Sequence, residues 1–285
     1  MNSSARELKR RLKSVASTQQ MTKAMKTVAV SKYNKVSSLY DDFEPYGAQC
    51  EHLLSILGGE EDPAPEEIRE DLPVCYVAVT GNRGLCGMYN IELMRFLQEQ
   101  TAAHPGSKVV MCGKWGKDNA GQLKGAEIIR CFPLSDIPQY SQARELCDYM
   151  KQLHAGGEYS QVCFAVQRFK NVLVQTPELI PFPPRREART QGGGDYIFLP
   201  ERAELTHRLE DICTASYVYR VLLNCARGVH GATLAAMRTA SDNSDEMYAE
   251  LSQTLNRLRQ SSATTEVIEL SGAAAAGEET GDDLW

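Results

Sequence analysis

LTHRLEDICTASYVYRVLLNCARGVHGATLAAMRTASDNSDEMYAELSQTLNRL, residues 205–258, is the stretch whose periodicity decides the fold. Alternating steps of four and three connect Leu205, Leu209, Ile212, Ser216, Tyr219, Leu223, Ala226, His230, Thr233, Met237, Ala240, Ser244, Met247, Leu251, Thr254 and Leu258, a heptad seam. At ~1.5 Å per residue a helix over these positions is roughly 80 Å long, well beyond the diameter of a domain built from such a chain. It needs a partner outside a compact core. The N-terminal segment repeats the pattern more loosely through Leu8, Leu12, Val15, Met21, Met25, Val28, Val36 and Leu39, so each stripe can bury itself against the other. The first 44 and last 85 residues lack proline, and all 12 prolines fall between them. The reading is an antiparallel coiled coil of long N- and C-terminal helices with an inserted open α/β (Rossmann-like) domain. The compact insert returns the chain to its starting end.

The seam is thin. Ser216, Ala226, Ala240 and Ser244 stand where a stability-driven coiled coil places leucine or isoleucine. Small side chains bring helix axes close and bury little area, at ~25 cal/mol per Å². One reading is an ordinary helical hairpin with a modest core. The other is a slender shaft that fits inside something else.

Charge is uneven. Residues 1–36 carry nine Lys/Arg against the single acid Glu7, so that segment is +8 within a chain of net −6, leaving −14 for the remainder. A basic helix is a solvated face or seeks nucleic acid, a membrane surface or an acidic protein. No aromatic residue precedes Tyr33, and no nucleic-acid motif appears, so an acidic protein surface is the better candidate. Nothing resembles a signal peptide, and no apolar run approaches the ~20 residues that span a bilayer. The nine cysteines form no C-x-x-C pair and sit among apolar neighbours, as in Val74-Cys75-Tyr76 and Val162-Cys163-Phe164. They read as buried reduced thiols, as in a cytosolic protein.

The centre alternates strand-like and helix-like pieces. Strands are expected at 74–79, 108–112, 127–132, 161–168 and 172–176, with helices at 89–103, 115–123 and 142–154. Such interleaving predicts an open, largely parallel sheet. The expected divisions are a shaft helix over 1–57, an acidic linker over 58–72, the α/β domain over 73–200, a second shaft helix over 201–271 and an acidic disordered tail over 272–285.

A glycine-rich loop, Thr80-Gly81-Asn82-Arg83-Gly84-Leu85-Cys86-Gly87, follows the first strand. Its glycines fall at intervals of three, which is neither the dinucleotide fingerprint nor the phosphate loop, so a tight turn is favoured. The five histidines lie far apart in sequence, with no zinc or hydrolase motif. No catalytic residue, metal or cofactor is assigned.

Two terminal stretches carry a resemblance. Lys13-Ser14-Val15-Ala16-Ser17-Thr18-Gln19-Gln20-Met21-Thr22-Lys23-Ala24-Met25, with Val28-Ala29-Val30-Ser31-Lys32, resembles the start of the gamma subunit of F-type ATP synthases. Ala236-Met237-Arg238-Thr239-Ala240-Ser241-Asp242-Asn243 and Leu258-Arg259-Gln260-Ser261-Ser262-Ala263-Thr264 resemble its end, and Arg83-Gly84-Leu85-Cys86-Gly87 matches a third motif.

The resemblance implies a non-catalytic central-stalk rotor, whose terminal helices turn inside a hexamer of alpha and beta subunits. Its α/β foot would grip the epsilon subunit and the membrane ring of c subunits. It would couple ion flow to ATP synthesis or hydrolysis, regulating ATPase activity from the cytoplasmic face of a bacterial plasma membrane, attached only through the Fo sector. Lys23, Met25 and Lys26 would meet beta, with Cys86 on the loop nearby, and Arg259 and Gln260 would bond to beta higher up. Tyr196 and Phe198 would face the c ring.

This chain departs from the family at Thr233, where relatives often have arginine, and at Leu199, where they have an acid. The segment before Ser271 is one residue shorter, which turns the helix by ~100° downstream. The alternatives are a nucleotide- or nucleic-acid-binding α/β protein with a coiled-coil arm, or a free-standing coiled coil that dimerises.

Overall fold

The computed structural model of the chain describes residues 3–57, 72–184, 199 and 201–279. In chain order the elements are α1 (Ser3–Leu57), β1 (Val74–Val79), α2 (Tyr89–Ala103), β2 (Lys108–Cys112), α3 (Lys114–Asp118), a 3₁₀ turn (Ala120–Gln122), β3 (Glu127–Phe132), α4 (Tyr140–Ala155), β4 (Gln161–Phe169), β5 (Gln175–Phe182) and α5 (Arg202–Glu279). Contacts divide them into two units, one of Met1–Lys26 with Met237–Trp285 and one of Thr27–Ala236.

In the larger unit a five-stranded sheet runs β3-β2-β1-β4-β5, parallel except for β5, which is antiparallel to β4. All six residues of β1 are buried, because helices cover both faces. Tyr76, Ala78, Val109 and Met111 meet Leu93, Met94 and Leu97 of α2 on one face. Cys75, Val77, Val110 and Phe164 meet Leu146 and Met150 of α4 on the other, together with Val218, Leu222 and Cys225 of α5. The opposite side of α5 packs on α1. Arg227 pairs with Asp41 at 3.4 Å, Arg220 with Glu51 at 2.5 Å, and the Cys213 thiol donates to the Cys50 carbonyl at 3.4 Å, so the two helices run antiparallel. Covered on two sides, α5 is buried around most of its circumference between residues 213 and 232. Gly228 permits that approach, since a Cβ there would lie 2.9 Å from Tyr89 Cε2.

Within this unit the inward positions of α1 are Ala29, Tyr33, Val36, Tyr40, Phe43, Gly47 and Cys50, again in steps of four and three. The expected Val28 is exposed instead. Pro45 lies inside the helix and on its exposed side, where one lost backbone bond is tolerated.

In the smaller unit, Leu8, Leu12, Val15, Gln19 and Thr22 face inward on α1, with Met25 and Lys26 at the edge. On α5 the inward residues are Met237, Ser241, Ser244, Leu251, Leu255 and Leu258. One predicted column, Met237, Ser244, Leu251 and Leu258, therefore holds. In the other, Ala240 stays half-buried beside the buried Ser241, Leu255 is buried in place of Thr254, and both Met247 and Tyr248 are exposed, while Met21 leaves the seam. Met21 is 60% exposed and Met247 55%.

Other expectations shift locally. The last strand is β5 rather than 172–176, because the Asn171 carboxamide accepts from the backbone of Leu173 and Val174, both at 2.9 Å, closing a turn there. Pro177 and Pro181 fit β5 because it is an edge strand. The helix expected at 115–123 is α3 followed by the 3₁₀ turn. The C-terminal helix passes the expected boundary at 271 and continues to Glu279.

Candidate functional site

In the smaller unit the outer faces of the two helices differ in charge. Arg6, Lys9, Arg10, Lys13 and Lys23 are exposed on α1, while Asp242, Asp245, Glu246, Glu250, Glu266 and Glu269 are exposed on α5. Lys23 spans the pair to Asp245 at 3.1 Å, and the Gln19 carboxamide donates to the same carboxylate. These bonds, Gln19 first and Lys23 next, hold the Asp245 carboxyl below the usual range. Met25 and Lys26 are half-buried at the edge of the seam.

Farther along α5 the side chains leave the pair. Every described residue from Arg259 to Gly272 is exposed, including Gln260, Val267, Ile268 and Leu270. From the Lys23–Asp245 pairing, the start of α1 lies beside about residue 265 of α5, so the described helix beyond has no partner from α1. Ala263, Val267, Leu270 and Ala274 repeat at steps of four, three and four, an apolar stripe two residues on from the continued heptad positions and so on the other side of the helix. The heptad seam does not announce this stripe, since its continuation passes through Ser261, Thr265, Ile268 and Gly272.

Cys86 sits in the larger unit and faces inward at 2% exposure. Its sulfur accepts from the Asn90 carboxamide at 3.2 Å, and burial pushes its thiol pKa up. The same Asn90 accepts from the Gly81 amide at 2.9 Å, pinning the loop. Leu85, in the left-handed region at φ 65°, points outward with Met88 and Ile91, so these three form the loop's outer face. Thr233 turns its hydroxyl back to the Val229 carbonyl at 2.7 Å. Tyr196 and Phe198 lie outside the described residues. Leu199 is exposed.

The crevice at the carboxyl ends of the strands, where open α/β sheets hold ligands, is lined by Thr80, Gly81, Asn82 and Ser135. Leu222, Cys225, Val229 and His230 of α5 line its other side and leave a cavity of about 30 Å³. Asp136 closes its rim. Its carboxylate accepts from Lys32 of α1 and from the Asn82 carboxamide at 3.2 Å, and its carbonyl lies 2.7 Å from His230 Nε2. The Lys32 hydrogen bond, followed by Asn82 and the Arg83 charge, lowers the Asp136 pKa against the opposing effect of burial. Burial lowers that of His230. Among the described residues no cluster of His, Cys, Asp and Glu is placed to hold a metal, and no helix is long and apolar enough to cross a membrane.

Comparison with known proteins agrees with this geometry. A family model described as ATP synthase matches residues 4–276. The ATP synthase gamma chain of Desulforamulus reducens is 33% identical, the match covering 96% of this chain and 99% of that one. That of Moorella thermoacetica is 34% identical over 95% and 98%. Among solved structures, a chain of the Euglena gracilis mitochondrial ATP synthase (OSCP/F1/c-ring) aligns with TM-score 0.69 over 98% of this chain and 96% of that one. A chain of the rotor from the same organism aligns with TM-score 0.63 over 90% and 98%. Both are 17% identical and speak for the fold. With the family model and the relatives spanning nearly the whole length, the chain belongs to the ATP synthase gamma-chain family, the central-stalk rotor subunits of that enzyme.

Proposed function

We propose that the smaller unit is the axle that turns within a collar of alpha and beta subunits, while the α/β module meets the epsilon subunit and the c ring. The observation that carries this reading is the tip of α5 from Arg259 to Gly272, exposed throughout and beyond the reach of α1 where it presents Val267, Ile268 and Leu270. A lone helix of this length is marginal in water, so its apolar stripe calls for an enclosing apolar bearing. The chain itself is non-catalytic, and ATP forms on beta.

Coupling follows from unequal contact. An axle basic along α1 and acidic along α5 presents a different face to each of three identical beta subunits, biasing each toward a different nucleotide affinity. Rotation permutes these biases. Lys23, Met25 and Lys26 would meet acidic segments of beta, and Arg259 and Gln260 a loop higher in the bore. In the larger unit the loop would use Leu85 and Met88 rather than the inward Cys86. The bacterial relatives support a place on the cytoplasmic face of the plasma membrane, attached peripherally through Fo. The crevice, narrowed by α5 to about 30 Å³, speaks against the nucleotide-binding alternative.

The test is reconstitution with alpha and beta subunits, comparing the full chain with Val267→Ser/Ile268→Ser/Leu270→Ser. The full chain is expected to co-purify with the collar and rotate during ATP hydrolysis. The triple variant should lose about 2 kcal/mol or more of assembly stability, since three apolar side chains forfeit their burial. Equal stability of the two assemblies would remove the bearing from the argument.

A further inference from the structure

Asp136 joins three elements at one residue. Its carboxylate bonds Lys32 of α1 and Asn82 of the loop after β1, and its own carbonyl bonds His230 of α5. Asn82 is itself fixed, donating to the Leu134 carbonyl at 2.8 Å and accepting from the Lys114 amide at 3.0 Å. The hub is thus tied to the carboxyl edge of the sheet through β1, α3 and the segment after β3.

The two long helices reach the module by different means. A broad apolar face binds α5 to the sheet, with the Tyr89 hydroxyl donating to Cys225 at 3.2 Å and the Tyr217 hydroxyl to Pro181 at 3.1 Å. The inward seam of α1 in this unit faces α5, as do its described ion pairs from Asp41, Glu44 and Glu51, while the Tyr33 ring also meets Phe169 of β4 at 6.1 Å. Lys32 is different. Its ion pair runs past α5 into the module, and side-chain exposure of 30% and 28% for Lys32 and Asp136 leaves it less screened than a surface pair.

We infer that Asp136 is a positioning residue for torque transfer, the polar point at which twist of the α/β module is handed directly to α1 rather than through α5 alone. The inference rests on the rotor reading above. Two helices joined by a thin seam and by ion pairs whose acidic partners are largely exposed can slip or wind past one another under load. A polar clamp on the second helix forces both to turn together. Without the carboxylate charge, part of each rotation is absorbed as sliding between α1 and α5, and ATP is hydrolysed without a matching movement of ions.

The experiment uses the whole enzyme in liposomes, with ATP hydrolysis and ATP-driven ion pumping measured on the same preparation. The variants are Asp136→Asn, Lys32→Gln and the exchange Lys32→Asp/Asp136→Lys. Both single variants should hydrolyse ATP near the wild-type rate while ions pumped per ATP fall to about half, and the exchange should recover most of the loss. Amide hydrogen exchange on the same complexes should show roughly fivefold more frequent opening of α1 around Lys32 in the single variants. A merely structural role would lower assembly and hydrolysis together and leave the ratio unchanged. An unchanged ratio with unchanged exchange, or an exchange variant no better than the singles, overturns the inference. A wild-type assembly that hydrolyses ATP without pumping defeats the rotor reading itself, which keeps the two failures apart.

Discussion

His230 was placed on the seam by its heptad spacing, and it is buried there, but its role comes from a loop 94 residues away, where Nε2 meets the Asp136 carbonyl. No spacing rule reveals such a partner, because loop geometry is set by the sheet. Burial lowers the pKa of His230 and the Lys32 charge adds to this, while the Asp136 carbonyl and carboxylate oppose it. The folded form therefore favours the neutral ring. Its contribution to stability is present above the ordinary histidine pKa of ~6.5 and is lost as pH falls from there through the depressed folded value. Melting temperature followed from pH 7.5 to 5.5 should drop more steeply for the wild type than for His230→Gln, which keeps a donor but cannot titrate. Parallel curves would show that this ring does not ionise on unfolding. Cys86 gives the complementary lesson. The motif fixed its place on the loop, while its inward orientation depends on Asn90, four residues on, whose two side-chain atoms hold both the sulfur and the Gly81 amide.

The helices and the parallel strands were legible because their periods are imposed by burial. The errors lie where two patterns compete. On α5, Ala240 and Ser241, Met247 and Tyr248, and Thr254 and Leu255 are adjacent pairs in which either member completes a heptad, and composition does not break the tie. The geometry selects Ser241 and Leu255 for burial and leaves Met247 outside. Leu255→Ala should cost about 2 kcal/mol, the lower end for a buried leucine because the thin seam can close around the gap. Met247→Ser should leave the melting temperature of the isolated chain nearly unchanged. Equal losses from the two substitutions would restore the original register. The strand β5 was misplaced for a related reason. Pro177 and Pro181 argue against a strand, and only the antiparallel edge position, which the sequence does not announce, makes them acceptable.

At the scale of the molecule, the short terminal motifs identified the family while the α/β module supplied little that was specific, since its apolar strands are common to many open sheets. The charge division has a kinetic consequence. A segment of +8 within a chain of −6 should be steered toward an acidic collar over distances comparable to the Debye length. Raising salt from ~0.05 to ~0.5 M shortens that length and should slow association with alpha and beta roughly tenfold, with little change in dissociation. Stopped-flow mixing of the chain with labelled collar measures it, and a salt-independent rate would leave the basic face without a role in docking.

The pairing of Gln19 with Asp245 spans 226 residues of chain. During synthesis, α1 leaves the ribosome long before any of its α5 partners exists, and contacts of such separation form late. The sheet can close first and bring the two ends together, which reduces the entropy lost when the helices zip. Until then a basic, partly apolar α1 stands alone, a natural client for a chaperone, and the axle is the last part of the protein to be completed.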